Sequence, residues 1–403
     1  MHTTLYQPSQ KILKKYAEVL VNFALGTKEG ILKGEVVECI VPDVAKPLAL
    51  ELHNAILKAG GHVLMRIIPT GFEKSFFELA NQEQLTFFPA RHLKTRADLI
   101  NHSIGIIADT DPFDLTDIEP EKIMSSRNAR QKYREWLVSK ENKGKFTWTL
   151  ALWGVAAKAE IVGLSIEEYW DQIIQACFLD KADPIAEWRA VNTLQEELKK
   201  KLNSLYAQSL HIVGEHADLT VKLGSERLWN GGSGRNIPSF ELFTSPDWRG
   251  TEGWIEFNEP LYRYGTLIEG VRLEFRNGLV AKAHARKGNK ILQEMLKTKN
   301  ADKIGEYSLT DKRMSRITHT MAETLFDENI GGPFGNTHLA IGMAYKDCYR
   351  GNPARVKPEQ WAAMGYNESA EHTDIVSTTD RTVTATLPDG SEKVIYAQGM
   401  FTL

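Results

Sequence analysis

Residues 36–68 read VVECIVPDVAKPLALELHNAILKAGGHVLMRII, a strand, a helix and a second strand in one run. Residues 36–41 are short and rich in β-branched side chains. From residue 44 to residue 59 the apolar positions take helical spacing, and Gly60-Gly61 closes the helix. Residues 62–68 form the next strand, stopped by Pro69. A strand, a crossover helix and a strand of this length make a βαβ unit, whose two strands lie parallel. The pattern extends both ways. Ile12, Leu13, Tyr16, Val19, Leu20 and Phe23 predict an amphipathic helix over residues 10–26. Downstream, residues 104–108 form an apolar run ending in Asp109-Thr110-Asp111-Pro112, residues 121–139 read as helix, and residues 147–153 as strand. Residues 1–180 are therefore expected to form an α/β domain with a mostly parallel sheet.

From about Ser165 the pattern changes. Residues 165–178 and 184–209 read as long helices, and short strands and turns follow at residues 219–223, 253–257, 270–276 and 279–285. Asn277-Gly278 between two alternating runs is a strong hairpin signal, and Asp389-Gly390 marks another between residues 383–387 and 393–397. Residues 181–403 are expected to form a largely antiparallel α+β domain.

Composition narrows the function. The 403 residues are 42% hydrophobic and 25% charged, ordinary globular usage, with a net charge of −3 that gives no global attraction for nucleic acid. The basic run Lys199-Lys200-Lys201 follows Glu196-Glu197 on a helix and reads as a solvated face. Cys39, Cys177 and Cys348 are far apart and form no CxxC pair, so neither a zinc–thiolate site nor a disulfide framework is indicated. That usage suits a reducing cytoplasm. The N-terminal residues read as an amphipathic helix rather than a signal peptide, and no run approaches the roughly 18 apolar residues of a membrane span.

The residues able to carry chemistry lie in the second half. His372 and Asp374 in His372-Thr373-Asp374 point to one side if that segment is extended, a pair that suits a divalent metal, although such a triplet is more often a surface pair. Residues 325–345, LFDENIGGPFGNTHLAIGMAY, place Asp327-Glu328 before a glycine-rich loop and His338 after it. They read either as a ligand-bearing loop or as a helix end with a core histidine. Glu241 stands among Phe240, Leu242 and Phe243; it is either a buried carboxylate that needs a cation or donors, or a residue facing water on an edge strand. Glu306 says nothing alone. Gly231-Gly232-Ser233-Gly234 is not a dinucleotide fingerprint, and no GxSxG or HExxH occurs.

Taken in order, RNIPSFELFTSP around Glu241, Gly305-Glu306, Asp327-Glu328-Asn329, HLAIGMAY from His338 to Tyr345, and NESAEHTD ending at Asp374 resemble the M29 family of metallo-aminopeptidases, the thermophilic aminopeptidase type also called aminopeptidase T, S or PepS. The chain length and the two-part layout are similar as well. The loop of residues 331–337 departs from the family by its length. The resemblance implies metal ligands at Glu241, Glu306, Glu328, His338, His372 and Asp374, and a catalytic or ligating tyrosine at Tyr345. It also implies a homodimer acting on peptides with a free N-terminus.

Four carboxylates and two imidazoles can hold two divalent ions if one carboxylate bridges. Oxygen and nitrogen donors without thiolate suit Zn²⁺ or Co²⁺ first, with Mn²⁺ or Mg²⁺ as further choices. Two ions about 3.5–4 Å apart can hold a hydroxide and polarise a scissile carbonyl. Glu306 is expected either to bridge or to act as general base. The competing readings are another metal-dependent amidase or dipeptidase, and a non-catalytic peptide-binding protein with a structural metal.

Overall fold

The structure is a computed structural model that describes residues 6–264 and 266–403. It divides into two units. One runs to Trp188 and takes in Ser233–Ile237; the other comprises Arg189–Gly232 and Pro238–Leu403. The division falls inside the long helix Pro184–Ser204.

The first unit is built on a parallel sheet. Its strands β1 (Val36–Pro42), β2 (His62–Ile68), β3 (His102–Ile107) and β4 (Thr147–Leu152) lie in the order β2-β1-β3-β4, and the short strand Asn236–Ile237 pairs in parallel with β4. Helix α1 (Gln10–Val19) starts at Ser9, whose hydroxyl accepts from the Ile12 N–H. Helix α2 (Lys46–Lys58) has a proline in its first turn and buries Leu48, Leu52, Ala55 and Ile56. Gly60, at φ 83°, takes the left-handed conformation that ends it. The helix expected over residues 121–139 is two, Pro120–Ala129 and Gln131–Glu141, broken at Arg130. Buried His102 in β3 is satisfied by Glu35 and the Thr147 hydroxyl, at 2.8 and 2.7 Å, and does the work of a core residue.

The second unit holds two antiparallel sheets. The nine-stranded one includes the hairpin Thr266–Arg276/Leu279–Lys287, turned at Asn277-Gly278, and the hairpin Thr382–Thr386/Glu392–Ala397. The five-stranded one contains β5 (Glu241–Thr244), β6 (Ile304–Thr310), β7 (Asn336–Gly342) and β8 (His372–Ser377), in the order β8-β7-β6-β5, with Asn230–Gly231 beside β5. Every residue of β5, β6 and β7 is buried. Such strands show no polar–apolar alternation, which is why residues 336–342 read from sequence as a loop end and a small-residue run. The fold class expected from the sequence, an α/β part with a parallel sheet followed by an antiparallel α+β part, is the one observed. No described helix is long and apolar enough to cross a membrane.

Candidate metal centre

Directly paired residues on antiparallel strands project to the same face of a sheet, and neighbours along a strand project to opposite faces. In the five-stranded sheet this rule sorts the side chains by chemistry. Glu306 pairs with Ala340 and Ala340 with Asp374; Ser308 pairs with both His338 and Phe243; Thr310 pairs with Glu241; and Gly342 pairs with His372. Glu241, Glu306, His338, His372 and Asp374 therefore share one face. Tyr307, Leu309, Leu242, Leu339 and Ile375 occupy the other, where they form a core.

A β-bulge sets the height of Glu306. The β6–β7 register jumps between Ile304 and Glu306, leaving Gly305 as the extra residue. A Cβ on Gly305 would stand 2.2 Å from the Met343 carbonyl oxygen, so only glycine fits there.

The side chains on the polar face converge. His338 Nε2 lies 3.1 Å from Glu241 Oε2, 3.2 Å from Glu306 Oε1 and 3.9 Å from Asp374 Oδ1. His372 Nε2 lies 3.5 Å from Asp374 Oδ1 and 3.7 Å from Glu306 Oε2. Two groups thus have the dimensions of an ion site, Glu241–Glu306–His338 and Glu306–His372–Asp374, and Glu306 belongs to both. His372 Nδ1 donates to the Met343 carbonyl at 2.8 Å, which holds the tautomer that leaves Nε2 free to face the carboxylates. Glu328 completes neither group. It caps the helical turn Thr324–Asp327, is buried, and feels the charges of Glu241, Asp374, His338 and Glu306.

The electrostatics are those of a cluster with too much negative charge for its protons. Burial, aided by Glu241 and Asp374 against the pull of His338, raises the Glu306 carboxyl to about 7. Burial and the same neighbours push Glu328 well above the usual carboxylate range. Asp374 runs the other way: burial opposes ionisation, but His372, His338 and Arg263 hold it at about 2. Despite burial, Asp374 and Glu306 raise His372 to about 9, and Glu241 and Glu306 hold His338 well above the ordinary imidazole range. The donor set fits divalent cations on a direct observation. Asp374 Oδ1, between the two imidazoles, is buried with no hydrogen-bond partner, as is His338 Nδ1. A buried acceptor left unmatched is costly, and an ion of charge +2 removes that cost while displacing the protons.

Tyr345 stands beside the cluster. Its ring meets His372 edge-on at 4.8 Å and Phe243 at 5.6 Å. Burial and the four carboxylates keep its phenol protonated, so it can donate. Its backbone N–H donates to the Ser245 hydroxyl at 2.8 Å.

All six carboxylates and imidazoles singled out in the sequence thus reach one region, with Glu328 on its rim. Glu241 does not lie on an edge strand, since β6 flanks it on one side and Asn230–Gly231 on the other. Sequence reasoning passes over Ser308, whose hydroxyl donates to Glu241 Oε2 at 2.9 Å, and Ser245. It takes Asn329 only as part of a motif, yet Asn329 Oδ1 accepts from the Phe240 N–H at 2.6 Å while its amide reaches the Leu325 carbonyl at 3.1 Å. That pairing ties the turn bearing Glu328 to the entry of β5. For Ser308 a signal exists: two residues past Glu306 on a strand means the same face.

Comparison with known proteins places the chain in a family. The chain is 28% identical to aminopeptidase T of Thermus thermophilus over 96% of its own length and 97% of that protein's. It is 29% identical to aminopeptidase AmpS of Bacillus subtilis over 97% and 98%. It superposes on the solved structure of wild-type AmpT from Thermus thermophilus with a TM-score of 0.83 and 26% identity, covering 98% of this chain and 100% of that one. The family described as thermophilic metalloprotease (M29) matches residues 9–401. The chain belongs to the M29 thermophilic metalloproteases, a family of peptide hydrolases, and both of these relatives carry the name aminopeptidase.

Proposed function

We propose that this chain is an aminopeptidase that removes the N-terminal residue of peptides at a site for two divalent ions. The observation that carries the reading is the sharing of Glu306 between two three-residue groups. One oxygen of Glu306 faces His338 and the other faces His372, which favours a bridging role over that of general base. Glu241 and His338 would complete one ion's shell, and His372 and Asp374 the other's. Zn²⁺ or Co²⁺ suits this donor set best, ahead of Mn²⁺ or Mg²⁺. When bound, such a pair supplies Lewis acidity to the scissile carbonyl and acidifies the attacking water.

The protein's own groups do the remaining work. Glu328, inside the field of the cluster but outside both groups, would lose its own proton once ions are bound and then take the water's proton and pass it to the leaving amine. The Tyr345 phenol donates to the oxygen on which negative charge develops, and the T-shaped contact with His372 holds its ring. The same reading carries a cytoplasmic homodimer, checked by sedimentation of the purified protein.

The test pairs each free-amine peptide with its N-acetylated form, alongside metal analysis. Cleavage confined to the free-amine peptides and about two ions per chain are expected. Equal cleavage of blocked and free peptides would remove the aminopeptidase assignment.

A further inference from the structure

Arg381, just before the strand Thr382–Thr386, is a cation in the wrong medium: it is 3% exposed. Its Nη2 donates to the hydroxyls of Ser377 and Thr379. Its Nε and Nη1 are buried and have no hydrogen-bond partner. The ionisable groups close enough to act on it are two phenols, Tyr307 and Tyr396, and no carboxylate among the described residues joins them. Burying a guanidinium without a counter-ion is strongly unfavourable, and so is leaving its N–H groups unpaired.

The polar side chains around it are neutral hydroxyls. The hydroxyls of Tyr307, which is fully buried, and of Thr337, 1% exposed, lie against each other and have no further hydrogen-bond partner. The Tyr396 hydroxyl is already committed to the carbonyls of Thr310 and Phe334. Strand register places Tyr307, Thr337 and Ser377 on one face of the five-stranded sheet, the face opposite the carboxylates and histidines. What this set lacks is a small negative charge.

We propose that the reverse face of the sheet binds one small monovalent anion of the chloride class, held by Nε and Nη1 of Arg381 with the hydroxyls of Tyr307 and Thr337. One charge neutralises the guanidinium, and a spherical ion accepts from all four donors without needing an orientation of its own. Phosphate or a substrate carboxylate would bring more volume, or an organic tail, into a fully buried site. The anion sits behind strands whose next residues are Glu306 and His338, so its occupancy braces the sheet that carries the candidate metal centre. The proposal stands on Arg381 and its neighbours and does not depend on which ions occupy that centre.

The test compares thermal unfolding in sodium chloride and sodium gluconate at equal ionic strength, for the parent and for Arg381→Leu. A Tm about 2–4 °C higher in chloride is expected for the parent, and no difference for the variant. Bromide-soaked crystals of the parent give a reading that needs no variant, with an anomalous peak expected beside Arg381. Equal parent Tm values in the two salts, or ordered water alone beside Arg381 in those crystals, overturn the proposal.

Discussion

The two faces of the five-stranded sheet carry opposite excesses. On one, Glu241, Glu306 and Asp374 outnumber His338 and His372, with the Glu328 carboxyl added from the turn beside them. On the other, beside an apolar core, lies Arg381, a buried cation with hydroxyls around it and no carboxylate beside it among the described residues. Each face is buried, so neither excess can be relaxed by water, and each calls for an ion of opposite sign. The two demands differ in kind. The carboxylate face fixes several oxygens and nitrogens around two points and so selects charge, number and geometry. The reverse face offers donors around one charge. Because successive residues of a strand serve opposite faces, Glu306 and Tyr307, or Thr337 and His338, belong to different chemistries while sharing one backbone.

The comparison can be broken one face at a time. Chelation is expected to abolish peptide hydrolysis while the far-ultraviolet circular dichroism stays unchanged, since the core face and not the ions holds the sheet; unfolding of the second unit on chelation would make the metal structural. Glu306→Gln touches both candidate ion groups. A fall in kcat/KM of at least about two to three orders of magnitude is expected, with metal content reduced, as read by steady-state kinetics and elemental analysis. Leu309→Ala strikes the opposite face, where Leu309 is fully buried against Leu242. It should cost about 2–4 kcal/mol of unfolding free energy in a denaturant titration and leave metal content intact. Tyr345→Phe removes one hydroxyl and no packing. A drop in kcat of about 10–100-fold, with KM and metal content held, is the expected signature of a donor used only in the transition state.

The parallel sheet was legible because its strands are separated by helices, with Gly60-Gly61 and Pro69 as punctuation. The sheet that bears the site offered less. In β6 and β7 both faces are buried, so the period-two signal vanishes, and the bulge at Gly305 leaves no trace in a hydropathy pattern. Glu241, Glu306, Glu328, His338, His372 and Asp374 were singled out through the order of five short motifs, each weak alone. Their convergence depends on register across β5 to β8, which is a long-range property. Ser245 and Asn329 were illegible for another reason: they act through hydrogen bonds to backbone far away in sequence, at Tyr345 and Phe240, and nothing local marks such residues. Arg381 was hidden likewise, since an arginine between polar residues reads as surface until its neighbours are known.

The central claim is that Glu306 joins two ion sites, and anomalous diffraction at the metal's absorption edge, on metal-loaded crystals, tests it most directly. Two peaks are expected, one among Glu241, Glu306 and His338 and one among Glu306, His372 and Asp374. A single peak, or a pair in which Glu306 touches only one ion, would contradict it.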